Sequence, residues 1–173
     1  MKSSRSATFY NVIFPVWLLI WIPSWLWLIL IPVNYLIDRL VLLWSLKGQE
    51  DRNVFCRAHT WKICLAGFFS DFVGAALLLG IVELTDRLGG YPARDSFGFP
   101  VMQGIMLDPF SNPFSLLIVL AAVALAGLLI FLLDRWILTR AGLERAQAKA
   151  SALKLALITA PYLFLLPIRW FYV

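Results

Sequence analysis

The sequence predicts an all-α, multi-pass integral membrane protein, and three observations carry that reading. Hydrophobic residues make up 61% of the 173-residue chain and charged residues only 14%, where soluble domains run at roughly half apolar and a quarter charged. Mean hydropathy is +0.82, so the solvent for most of the chain is lipid. Apolar runs of spanning length alternate with short segments rich in Lys and Arg, the pattern of helices that cross a bilayer and return. A single transmembrane domain over residues 1–173 is expected, with four to five membrane segments: three long helices plus a proline-broken N-terminal hairpin or kinked helix.

The N-terminal region is the hardest to divide. Taken as one helix, residues 10–46 would be about 55 Å long, nearly twice the hydrocarbon thickness, and they contain Pro15, Pro23 and Pro32. The segment must bend. Residues 24–46 form a normal span, with Ser24 after Pro23 as a cap, which leaves residues 10–22 as a short apolar piece without a polar face. It is either a re-entrant or short spanning helix paired with 24–46, or an extension lying at the interface. The basic start "MKSSRSATFY" resembles a signal-peptide flank, but no small-x-small cleavage site follows, so the N-terminus is expected to stay in the chain.

The remaining spans are plainer. Residues 61–85, 113–138 and 152–170 are each long enough to cross about 30 Å at 1.5 Å per residue. Asn112 can cap the second of these, and Pro113 suits its first position. The polar stretch "LTRAGLERAQAKAS" is expected to prolong the flanking helices past the membrane surface, with a break near Gly142. Residues 86–112 form the longest polar interruption, read as a loop rich in Gly, Pro and Phe, with "DPF" and "NPF" side by side and exposed Phe and Met suited to the bilayer or a partner.

Charge asymmetry orients the chain. Lys47, Arg52, Arg57 and Lys62 lie between the first two spans, and Arg140, Arg145, Lys149 and Lys154 between the last two, whereas residues 86–112 carry only Arg87 and Arg94. The basic loops 47–62 and 139–154 are therefore expected in the cytoplasm and loop 86–112 outside, in a plasma or inner membrane. Lys2 and Arg5 favour a cytoplasmic N-terminus. Trp17, Trp21, Trp25 and Trp27 would then crowd the outer interface, while Trp44 and Trp61 mark the inner one.

One stretch resists this pattern. "GFFSDFVGAALLLG", residues 67–80, sets Asp71 inside apolar helix. Gly67, Asp71 and Gly74 share one face of small residues, which turns the carboxyl toward protein. If the inner hydrocarbon edge lies at Ser45 and at Lys62, Asp38 and Arg39 are about 9 Å deep and Asp71 about 13 Å. Asn34 is one turn from Asp38, and Ser70 adjoins Asp71. The expected intramembrane polar cluster is thus Asn34, Asp38, Arg39, Ser70 and Asp71. It reads either as a site for a proton or small cation, or as an interhelical lock in which Arg39 pairs with Asp71.

Enzyme signatures mostly fail, which leaves an enzyme acting on lipid as the third reading. The chain has one histidine, His59, too few for a two-histidine metalloprotease helix. Cys56, His59 and Cys64 lack a fourth ligand for zinc, and no metal site or cofactor is expected. No glycine-rich phosphate loop occurs. The net charge of +5 is accounted for by helix-end residues facing anionic lipid, with no nucleic-acid partner expected. Small-residue stripes, Ala148–Ala152–Ala156–Ala160 and Ala122–Ala126, allow helices to approach closely, within the chain or in a homo- or hetero-oligomer. The expectation is a non-enzymatic multi-pass protein, a subunit or accessory component of a larger membrane assembly, with a small oligomeric proton or cation channel or transporter as the alternative.

Overall fold

The computed structural model describes residue 17 and residues 27–89 and 98–168. Among the described residues every element is helical and none is a strand: α1 (Trp27–Ser45), α2 (Arg52–Gly89), α3 (Gly98–Leu107), a 3-10 turn at Pro109–Ser111, α4 (Pro113–Arg140), α5 (Arg145–Thr159) and a 3-10 turn at Tyr162–Leu165. Four stretches are long and apolar enough to cross a membrane: Trp27–Ser45, Arg52–Arg87, Pro113–Arg140 and Arg145–Leu165. The readings of residues 10–22 and 24–26 lie outside the described residues, Trp17 excepted.

α1 packs along α2, α2 along α4, α4 along α5 and α5 along α1, closing a ring of four helices. Its ends are fixed by the connections. Gly48, at φ +98°, turns the chain from α1 into α2 in the left-handed region that favours glycine. Gly142, at φ +96°, does the same between α4 and α5. There the Leu143 amide donates to the Leu138 carbonyl and the Gly142 amide to the Thr139 carbonyl, the pair of bonds that satisfies a helix C-terminus when the next residue is left-handed. Leu138 and Leu143 are buried together with Leu46, Cys56 and Ala148. The C-termini of α1 and α4 and the N-termini of α2 and α5 therefore meet at one end, so neighbours run antiparallel. This is the basic end. The Ser45 hydroxyl donates to Ser151 at 2.7 Å and the Gln49 amide to Gln147 at 2.9 Å along its α1–α5 seam.

The opposite end holds a second apolar cluster that includes Ala75, Leu78, Ile105, Val119 and Phe164. Trp17 belongs to it: it is 2% exposed and its indole N–H donates to the Ile105 carbonyl at 3.1 Å. An aromatic belt is thus the wrong reading for this residue, because its ring and its polar N–H are both satisfied inside. Trp44 and Trp61 are half-exposed beneath Lys154 and Lys62, as interfacial residues would be.

Three boundaries depart from expectation. α2 starts nine residues before the expected span of 61–85 and runs on to Gly89, since nothing in "RNVFCRAHT" breaks a helix and Cys56 and Thr60 are buried. The loop 86–112 contains α3, whose Val101, Gly104 and Ile105 face inward; a Cβ on Gly104 would overlap Ser115, whose hydroxyl donates to the Val101 carbonyl at 2.8 Å. The "DPF" and "NPF" motifs are consecutive capping turns: Asp108 accepts from the Phe110 amide at 3.1 Å and Asn112 from the Phe114 amide at 2.8 Å. Asn112 and Pro113 start α4 as expected. Last, the helix expected over 152–170 stops at Thr159. Pro161 cannot donate to the Leu157 carbonyl; the Tyr162 hydroxyl does so instead, at 2.7 Å.

Candidate functional site

The register of the bundle assembles the polar site. Gly74 is a point of close approach between α2 and α4: a Cβ there would lie 3.2 Å from the Ala122 carbonyl oxygen and 3.2 Å from the Ala126 Cβ. In antiparallel helices, ten residues back along α2 reaches Cys64, and about ten residues onward along α4 reaches Asp134. The two share a level. The Cys64 thiol donates a hydrogen bond to Asp38 on α1, bringing a third helix to the same layer. α5 faces it with its alanine stripe, in which Ala148, Ala152 and Ala156 are buried.

Asp134 is the most exposed to consequence. It is 0% exposed to solvent and neither carboxyl oxygen has a hydrogen-bond partner. Asp38 is 6% exposed, and its charge acts on both Asp134 and Asp71. Asp71 sits seven residues along α2 from Cys64, about 10 Å away along the axis, partly buried and with one oxygen enclosed and unpartnered. Asp134 and Asp71 thus each lie within the field of Asp38.

No cation answers them. The expected Arg39–Asp71 pair is not formed, and the one ion pair among the described residues is Arg87–Glu83 at 2.8 Å, on the surface of α2. The charge of Arg39 acts on Cys56, toward the basic end. The reason is register. With Asp38 level with Cys64, Ser45 lies opposite residue 57 and not 62, which sets Asp71 about two turns from the level of Arg39, about five residues farther than assumed. The long arginine stem then carries its head toward the basic end.

The other expected members are placed as follows. Ser70 is buried, but its hydroxyl donates to the Ala66 carbonyl of its own helix at 2.7 Å. Asn34 is partly buried one turn from Asp38. Gly67 has nothing within 4 Å of where its Cβ would be, so only the Gly74 end of the small-residue face is closely packed.

Asp134 escaped the sequence reading, although a signal was present. Ala122, Ala126, Ile130 and Asp134 repeat every fourth position, so the stripe of small residues that faces inward also carries the carboxyl inward. His59 is partly exposed, but its Nδ1 is buried without a partner and its ring packs on Phe55 at 4.6 Å. Ala122, Ala126, Ala148, Ala152 and Ala156 of the two alanine stripes are buried inside the chain, and Ala160 is partly buried. Among the described residues no three His, Cys, Asp or Glu side chains converge as a metal site. No protein-family model, curated protein or solved structure matches the chain.

Proposed function

We propose that the protein is a non-enzymatic, multi-pass component of a plasma or inner membrane whose buried carboxyl layer, Asp38, Asp134 and Asp71, takes up and releases protons. The observation that carries this reading is Asp134, fully enclosed with both oxygens unpartnered. An unpaired charge inside a membrane protein costs several kcal/mol or more, so such a group is retained where its charge is exchanged. A register lock would pair its carboxyls with Arg39, and that head group acts elsewhere. A site for a metal cation would draw several oxygens onto one point, and these side chains do not converge. The basic loops 47–62 and 139–154 face the cytoplasm in this reading, and loop 86–112 faces outward.

Membership of a larger assembly follows from the two apolar clusters that close the bundle at its ends. Four helices packed this way leave no polar passage among the described residues, so proton movement across the membrane needs a partner or a second conformation. With both alanine stripes used internally, a homo- or hetero-oligomeric contact would form on outward faces such as that of Leu117, Leu128 and Leu132.

The test is infrared difference spectroscopy of the protein in lipid, comparing acid with alkaline buffer. A carboxyl C=O band that titrates in the wild type and is diminished in Asp134→Asn supports the reading. A wild type without such a band, or a band untouched by Asp134→Asn, overturns it.

A further inference from the structure

We infer that the apolar groove between α4 and α5 holds one acyl chain of an anionic phospholipid whose phosphate rests on Arg135 and Lys149; this rests on the membrane placement proposed above and not on proton uptake. The groove has a volume of about 320 Å³, with Gly127 and Phe131 on its α4 wall and Leu153, Leu157, Ala160 and Tyr162 opposite. Of the lining residues only Tyr162 has a polar side-chain atom, and its hydroxyl is spent on the Leu157 carbonyl at 2.7 Å. The lining side chains offer a ligand no hydrogen bond, so the occupant is hydrocarbon.

Its dimensions fit an extended chain and not a helix. From Phe131 back to Val123 the lining covers about 12 Å of helical rise. Spread over that length, the volume of about 320 Å³ gives a cross-section of about 27 Å², against about 80 Å² for a helix about 10 Å across. The groove is narrow where a Cβ on Gly127 would lie 3.7 Å from the Ala160 Cβ, an ordinary contact. A larger side chain at Gly127 would therefore fill the groove without driving the two helices apart.

An apolar groove alone selects no lipid, because every tail is as apolar as its walls. Selection comes from the mouth at the basic end. Gly127, Phe131 and Arg135 follow at four-residue steps along α4, and Lys149, Leu153 and Leu157 along α5, so the two cations continue the groove's own walls. With Gly127 opposite Ala160 in antiparallel helices, Arg135 and Lys149 stand about 4.5 Å apart in level, and their long stems bring both heads to one phosphate. Both are exposed. Arg140 lies over Trp136 at 4.4 Å and Lys154 over Trp44 at 4.7 Å, whereas Arg135 and Lys149 make neither a ring contact nor an ion pair among the described residues. Glu144 is the one acid between residues 135 and 154. Basic side chains at the cytoplasmic surface attract anionic headgroups, and an anionic phospholipid joins that charge to the chain the groove accepts.

The experiment is native mass spectrometry of the full chain in mild detergent, titrated with phosphatidylglycerol or with phosphatidylcholine of identical chains. The wild type should bind one phosphatidylglycerol more tightly than any phosphatidylcholine. Arg135→Gln with Lys149→Gln should weaken that binding about 30-fold, the worth of two headgroup contacts, and Gly127→Leu, which fills the groove and leaves both cations, should remove it as well. Lys47→Gln with Arg57→Gln, two exposed cations of the same end away from the groove, should leave it unchanged. Equal binding of the two lipids, an equal loss in the Lys47 and Arg57 pair, or full binding in Gly127→Leu overturns the site. A wild-type dimer that Gly127→Leu splits also overturns it, by putting a second copy in the groove. Release of the protein from cell membranes by alkaline wash overturns the membrane placement, and the site with it; a chain that stays in the membrane without preferring phosphatidylglycerol overturns the site alone.

Discussion

The thiol of Cys64 donates to the carboxyl of Asp38 across the α1–α2 interface, and this bond marks which residues of the two helices stand level. Asp38 is almost fully enclosed, so losing the donor leaves a buried acceptor bare. Cys64→Ala should lower stability by about 1 to 3 kcal/mol, read as a lower melting temperature in detergent, whereas Cys64→Ser, which keeps a donor, should lose less. Equal loss in both variants would assign the effect to packing and not to the bond.

Asp134→Leu should raise the melting temperature. Replacing an unpartnered buried carboxyl by an apolar side chain removes a desolvation cost and leaves nothing stranded. The same change should remove the Asp134 share of the titrating carboxyl band, separating stability from function as is common where a site stores unfavourable energy. A melting temperature well below that of the wild type would mean that the carboxyl is held by partners after all.

Arg39→Leu should cost less than about 1 kcal/mol, against about 3 to 5 for breaking a buried ion pair. The expected Arg39–Asp71 lock and the observed arrangement differ most clearly here. A large loss, rescued by adding Asp71→Asn, would restore the lock.

Gly74 and Gly67 should respond oppositely to enlargement. Gly74→Leu drives a side chain into the Ala122 carbonyl, 3.2 Å from the Cβ position, and overpacking of this kind typically costs about 1 to 3 kcal/mol or more. Gly67→Leu enters open space and should leave the melting temperature unchanged or higher, because leucine favours helix. The difference between the two curves measures the α2–α4 contact directly.

Local signals in the sequence were sufficient for the helix starts and stops that depend on one or two residues. Asn112 and Pro113 open α4, and Gly142 separates α4 from α5, because capping and positive φ are properties of those residue types. Long-range register was not legible. Anchoring α1 at Ser45 and α2 at Lys62 assumed that basic residues mark one common plane, while the structure slides α2 by about five residues, which detached Arg39 from Asp71. α3 was missed because its Gly98, Pro100 and Gly104 argue against helix locally; the close approach of Gly104 to Ser115, a tertiary requirement, decides otherwise. Asp134 stands beside Arg135 near the end of an expected span, where a charged residue draws no attention. Only the Ala122–Ala126 stripe extended by two further turns places it inside.

In the membrane reading proposed above, the break at Pro161 has a mechanical consequence for the surrounding bilayer. α5 has 15 regular helical residues, about 22 Å of rise against about 30 Å of hydrocarbon, while the neighbouring α4 has 28. Irregular backbone survives at membrane depth only when it is shielded, and here Phe164 tucks against the Gly74 position while Tyr162 covers the Leu157 carbonyl. Around its circumference the protein therefore presents walls of unequal height. Lipids beside α5 must thin or tilt to meet the shorter wall, at a cost of fractions of a kcal/mol per Å of mismatch. That cost is relieved when a second membrane protein with a matching short side takes their place.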